Sequence, residues 1–263
     1  MSDMLCTRQL SVTLNRRKIL HGVDFSAAPG QLTCIVGPNG SGKTTLLRAL
    51  TGELPFTGEA LLDETPIQSL RTEELAARRA VLPQASPMAF PFTVLEVVRM
   101  GIGGGIALRA DAARLPQLAL ERVGLRGYEG RLFQQLSGGE QQRVQLARVL
   151  VQVWKPVVGG VPRWLFLDEP VAALDIGHQL QIMRLAQDFA RRGGGVIAVM
   201  HDLNLTAMVA DTVCLMQDGR ILAQGRVADV FTDCTLGTAY GCSLRVSTPP
   251  PNGGVFILPQ AAE

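Results

Sequence analysis

No stretch of this chain stays apolar long enough to cross a bilayer. Hydrophobic residues fill 47% of its 263 positions and the mean hydropathy is +0.20. Yet the best run, residues 149–167, is broken by Lys155, Pro156, Gly159, Gly160, Pro162 and Arg163, where about 18–20 unbroken residues are needed. The apolar excess therefore belongs either to a buried α/β core or to a protein–protein surface. No leader of secretory type is expected either, because residues 1–10 carry no apolar segment. Neither sign of charge dominates: 25 Lys and Arg face 23 Asp and Glu, a net +2. Nothing there pulls strongly on nucleic acid or an acidic membrane surface. The five cysteines (Cys6, Cys34, Cys214, Cys234, Cys242) are odd in number and form no C-x-x-C pair. Reduced, mostly buried thiols are expected, without disulfides or zinc. His21 and His178 lack ligand-type neighbours, and there is no internal repeat.

What is present reads as one large α/β domain. Residues 8–14 and 22–27 look like strands of an antiparallel edge region. Leu32 to Val36, Trp164 to Asp168 and Gly195 to Met200 are short apolar runs that end in glycine or polar residues. They read as buried parallel strands with functional groups at their carboxyl ends. A helix is expected from Lys43 to about Thr51. Residues 85–154 turn helical. There Thr93 and Glu96 form a capping box, with Phe92 and Val97 placed as a staple. Further helices are expected over 111–124, carrying Pro116 early, and over 142–154. Asp218-Gly219 signals a hairpin between 213–216 and 221–223. A Pro-Gly-rich linker precedes a last short strand, 255–258.

Two glycine-bearing segments carry the chemistry. Gly37-Pro38-Asn39-Gly40-Ser41-Gly42-Lys43-Thr44, followed by Thr45, fits G-x-x-x-x-G-K-[ST] between a strand and a helix. Its backbone N–H groups converge on phosphate oxygens, Lys43 adds a point charge, and the Thr44 hydroxyl suits Mg²⁺. Downstream, Leu136-Ser137-Gly138-Gly139-Glu140-Gln141-Gln142-Arg143 opens a helix of the S-x-x-E type. Its adjacent glycines leave amides exposed as an anion site. Asp168 and Glu169 close an apolar strand, placing one carboxylate for a metal shell and another to deprotonate water.

In this order the two segments resemble the ATPase subunit of an ABC transporter. The resemblance covers residues 37–201. It implies a parallel-sheet P-loop core (residues 1–84 and 155–263) with an antiparallel edge region and an inserted helical subdomain (about 85–154). It implies ATP and Mg²⁺, with Thr44, Gln84 and Asp168 toward the metal. Glu169 is then the general base, Gln84 the Q-loop residue and His201 the switch histidine. Ser137, Gly138, Gly139, Glu140 and Asp175 would meet ATP bound by a second copy, so a homodimer with two composite sites is implied. Two permease subunits would complete the complex on the cytoplasmic face of a bacterial inner membrane.

Residues 91–101 resemble the helical subdomain of importers of metal chelates. Residues 151–164, with their Pro-Arg-Trp ending, and Leu174-Asp175-Ile176-Gly177-His178-Gln179 are similar to haem-importer ATPases. That likeness implies a periplasmic haem-binding protein upstream; importers of siderophores or cobalamin are the alternative. A soluble, non-transport ABC protein is disfavoured by a single cassette without heptads. Two departures stand out. Gly101-Ile102-Gly103-Gly104-Gly105 replaces a Gly-Arg-x-Pro-His pattern and reads as a flexible loop. Thr13 to Arg17 holds no aromatic where the family stacks adenine. Adenine would rest either on Leu14 or under an Arg guanidinium, which predicts relaxed base selectivity at a cost of about 1 kcal/mol.

Overall fold

Leu32–Val36 (β4), Trp164–Asp168 (β10) and Gly195–Val199 (β11) are buried at every position, and they decide the architecture. Strands covered on both faces belong inside a parallel sheet. With Arg79–Leu82 (β7) and Thr212–Gln217 (β12) they form one, in the order β12-β4-β11-β10-β7. Arg220–Gly225 (β13) extends it as an antiparallel edge through the expected hairpin. Alternate side chains feed two cores. Leu165 and Leu167 face one side of the sheet, Trp164 and Phe166 the other. The computed structural model describes residues 4–84, 88, 90–103, 112–250, 253–255 and 257.

A second sheet covers the Trp164 side. It holds Leu5–Leu14 (β1), Arg17–Val23 (β2), Ser26–Ala27 (β3), Thr57–Leu62 (β5) and Thr65–Pro66 (β6), in the order β2-β1-β5-β6 with β3 on β1. The expected strand at 22–27 is really two. Asn15 and Arg16 both take positive φ, so a two-residue turn starts β2 already at Arg17. At the other end Asp24 takes the Gln9 N–H through its side chain and interrupts the pairing.

Helices Lys43–Leu50 (α1) and Thr72–Arg78 (α2) precede a helical layer of Val94–Arg99 (α3), Leu115–Arg122 (α4) and Gly138–Gln152 (α5). These last three pack on one another and on the Leu165 side of the sheet. Thr93 and Glu96 do form the capping box of α3. α5 starts four residues before the expected 142. Ser137 and Glu140 cap it strongly enough to carry two glycines that disfavour helix. α4 is shorter than expected, and Asp111 lies outside the described residues. Val157–Val158 (β8) and Val161–Pro162 (β9) pair around Gly159 and Gly160. Ile176–Arg191 (α6), Leu203–Val209 (α7), Val227–Val230 (α8) and Asp233–Tyr240 (α9) complete the order.

Two expectations fail. Val255 and Ile257 are not in a strand and are 97% and 81% exposed. Phe256 and Leu258 lie outside the described residues. Only Cys34 and Cys214 are buried, whereas Cys6 is half-buried and Cys234 and Cys242, at the two ends of α9, are exposed. Burial pushes the Cys34 and Cys214 thiols far above their usual range. In the glycine run a Cβ on Gly101 would lie 2.1 Å from the Arg148 carbonyl oxygen, whereas one on Gly103 would meet nothing within 4 Å. Gly104 and Gly105 are outside the described residues. No helix among the described residues is long and apolar enough to cross a membrane.

Candidate nucleotide site

The parallel register brings four strand ends to one edge. Asp168 is level with Val199, Val199 with Ile35, and Leu167 with Leu82. Whatever follows those strands is therefore gathered: the phosphate loop after β4, Gln84 after β7, Asp168 and Glu169 at β10, His201 after β11. The loop turns at Gly37, where a Cβ would stand 2.1 Å from the Met216 carbonyl oxygen. Gly42, left-handed at φ +98, caps α1 without a side-chain bond, and no acid sits in the first turn. The N–H groups at that helix start are free to meet an anion. Lys43 Nζ donates to the Gly37 and Pro38 carbonyls at 2.9 and 3.0 Å. Burial pulls the ammonium pKa down, and the charges of Glu169 and Asp168 partly restore it.

Thr44 Oγ1 donates to Asp168 Oδ1 at 3.0 Å. Burial raises the Asp168 pKa, while the Thr44 bond holds against it. A hydroxyl and a carboxylate at that separation are hard oxygen donors of the kind Mg²⁺ takes. Glu169 follows with φ +52, a conformation costing about 1 kcal/mol or more for an L residue. His201 Nε2 lies 2.6 Å from its Oε1. While Asp168 lines a neighbouring cavity with Thr44 and Gln84, Lys43, Thr44, Glu169 and His201 share a cavity of about 820 Å³, whose wall Arg17 and Ile19 of β2 complete. Of the two candidates for the base, Arg17 lines this space and Leu14 does not. Gly37, Pro38 and Ser41 are not on its wall either. They shape the loop from behind, Ser41 being buried and its N–H bonded to the Pro38 carbonyl.

Comparison with known proteins agrees with this geometry. A family model described as ABC transporter matches residues 20–172. Two curated relatives, each called hemin import ATP-binding protein HmuV, run nearly the whole length. The one from Jannaschia sp. (strain CCS1) is 63% identical over 98% of this chain and 95% of its own. The one from Mesorhizobium japonicum is 54% identical over 98% and 99%. Among solved structures, a nucleotide-free ATP-binding cassette from an ABC transporter superposes with a TM-score of 0.78 at 25% identity, covering 91% of this chain and 99% of that one. The chain belongs to the ABC transporter family. It is one of that family's ATPases.

In this ABC ATPase the segment Ser137 to Glu140 does not line the cavity that holds Lys43 and Glu169. Ser137 accepts the Glu140 N–H at 3.3 Å, and Glu140 Oε2 accepts both the Ser137 N–H and hydroxyl at 2.8 Å. Those bonds hold the Glu140 carboxyl below its usual range, the backbone N–H contributing most. Gly138 opens to space, while a Cβ on Gly139 would sit 3.0 Å from the Ala173 carbonyl oxygen. The signature and the segment leading to Asp175 are thus packed together. Asp175 caps α6, and its partner is His178, which the sequence left unpaired. The His178 N–H bonds at 2.9 Å, and ring Nδ1 lies 2.8 Å from both carboxylate oxygens. Bonding to the His178 N–H lowers the Asp175 pKa. Gln142, which the sequence placed in the same segment without a role, donates to the backbone of Glu169.

Proposed function

We propose that this chain is the ATP-hydrolysing subunit of a bacterial importer of haem. In this reading two copies sit on the cytoplasmic face of the inner membrane against two permease subunits, and a periplasmic protein delivers the cargo. The observation that carries it is the 63% identity to a hemin import ATP-binding protein over 98% of the chain, together with a gathered set of Lys43, Thr44, Asp168, Glu169 and His201.

The roles follow from the chemistry. Backbone N–H groups of Gly40, Gly42, Thr44 and Thr45, with Lys43, hold the phosphates. Thr44, Asp168 and Gln84 would hold Mg²⁺, which when bound offsets charge on the β- and γ-oxygens. Glu169 takes the proton from the attacking water, and His201, bonded to it, fixes its direction. Ser137, Gly138, Gly139 and Asp175 face the nucleotide of the second copy, so closure needs both chains. Residues 85–154 form the subdomain that passes this movement to the permease.

Uptake by right-side-out proteoliposomes that hold the chain and its permease, with ATP enclosed in the lumen and the cargo-binding protein outside, tests the reading. ATP-dependent accumulation of haem is the expected result. Accumulation of a ferric siderophore or cobalamin instead would move the cargo, and no ATP dependence for any of them would remove the transport role.

A further inference from the structure

Gln142 reaches from the helical layer to the catalytic edge of the sheet. Its Nε2 donates to the backbone carbonyl of Glu169 at 2.8 Å. That carbonyl also takes the Ala172 N–H, at a longer 3.4 Å. The short bond is therefore supplied by a side chain of α5 rather than by the turn itself. The residue it holds is the one with φ +52, a conformation that persists only where neighbours determine it.

The surroundings make this bond a latch that can open. Gln142 Oε1 has no hydrogen-bond partner among the described residues. Neither amide atom of Gln145 has one, although that side chain is 4% exposed. Both glutamines border a cavity of about 430 Å³ that Gln84, Glu169 and Ala173 also line. Buried amides serving packing alone are normally satisfied; here one bond is made and space lies beside it.

We propose that Gln142 is a positioning residue for hydrolysis. Docked on the Glu169 carbonyl, it fixes the direction in which the carboxylate leaves the backbone. The base is aligned only while α5 lies against the carboxyl end of β10. A shift of α5 by about 1 Å takes the bond beyond hydrogen-bonding length. Movement of the helical layer is then read by the base inside one chain, before any second copy contributes. This rests on Glu169 acting as the base.

A double-mutant cycle on the full-length chain tests it, with turnover and ATP affinity read separately. Gln142→Met keeps length and removes the donor. It is expected to lower kcat by about 10-fold or more while the Kd for ATP moves by less than about twofold. In a Glu169→Gln background the same substitution changes the residual rate by less than about twofold, because no carboxylate remains to be aimed. Gln142→Asn, with its donor one methylene short, falls between and carries the comparison if Gln142→Met folds poorly. Equal losses in both backgrounds, or an unchanged kcat in Gln142→Met, would overturn the latch. Wild-type turnover in Glu169→Gln alone would instead remove the base assignment on which the latch depends.

Discussion

The starts of α1 and α5 both carry glycine beside a polar side chain, and they are finished in opposite ways. At α1, Gly42 leaves the helix without a side-chain cap or an acid in its first turn. At α5, Ser137 and Glu140 close a capping box on themselves. An uncapped start offers its N–H groups to a ligand, and a capped one has spent two of them internally. In the proposed reading the first binds nucleotide within a single chain. The second leaves Ser137 exposed and Gly138 open, and in the same reading a partner's nucleotide completes it.

Ser137→Arg sharpens this contrast most. It places a long cation where the second nucleotide would enter and leaves the α1 site untouched. Turnover of the assembled complex should fall by about 10²- to 10³-fold, while ATP affinity of the isolated chain stays within about twofold by calorimetry. Equal loss of affinity in the isolated chain would place both segments in one site and end the contrast.

Lys43→Ala is the reciprocal change. One buried ammonium removed from the phosphates should weaken ATP binding by about 10- to 100-fold, the worth of charge-assisted hydrogen bonds. Unchanged Kd in a titration would remove the α1 loop from phosphate binding.

Arg17→Ala probes the far wall of the same cavity. Loss of a guanidinium over the base should cost about 1 kcal/mol, roughly fivefold in Kd, for ATP and GTP alike. Affinity for inorganic tripolyphosphate should not change. If tripolyphosphate weakens in parallel, Arg17 serves the phosphates and not the base.

How legible these regions were depends on how local their causes are. The phosphate loop and the two capping boxes are written in runs of eight residues or fewer, and strand ends place them with little ambiguity. The start of β2 was missed because a two-residue turn at Asn15 and Arg16 puts positive φ on an arginine, which no propensity suggests. Choosing Arg17 over Leu14 needed the β1–β2 register. The strand expected at 255–258 failed because pairing is decided by neighbours, and the sequence names none. The partner of Gln142 was not legible for the same reason: it lies 27 residues away, and only the packing of α5 on the sheet brings them together.

The smallest effect separates the two helix starts by pH. Glu140 has a folded-state pKa below its unfolded value of about 4.3, chiefly through the Ser137 N–H. A depressed carboxyl pKa adds stability that is fully present above the unfolded pKa and is lost as pH falls through the folded one. Glu140→Gln should therefore lower the melting temperature by about 1–2 °C at neutral pH, a charge–dipole contribution of ordinary size. The gap to wild type should close as pH drops below about 4. The α1 start has no acid in its own first turn, so bound nucleotide is what should stabilise it. A gap that persists unchanged into acid would mean that Glu140 works through packing, and that the two starts differ less in their chemistry than their hydrogen bonds indicate.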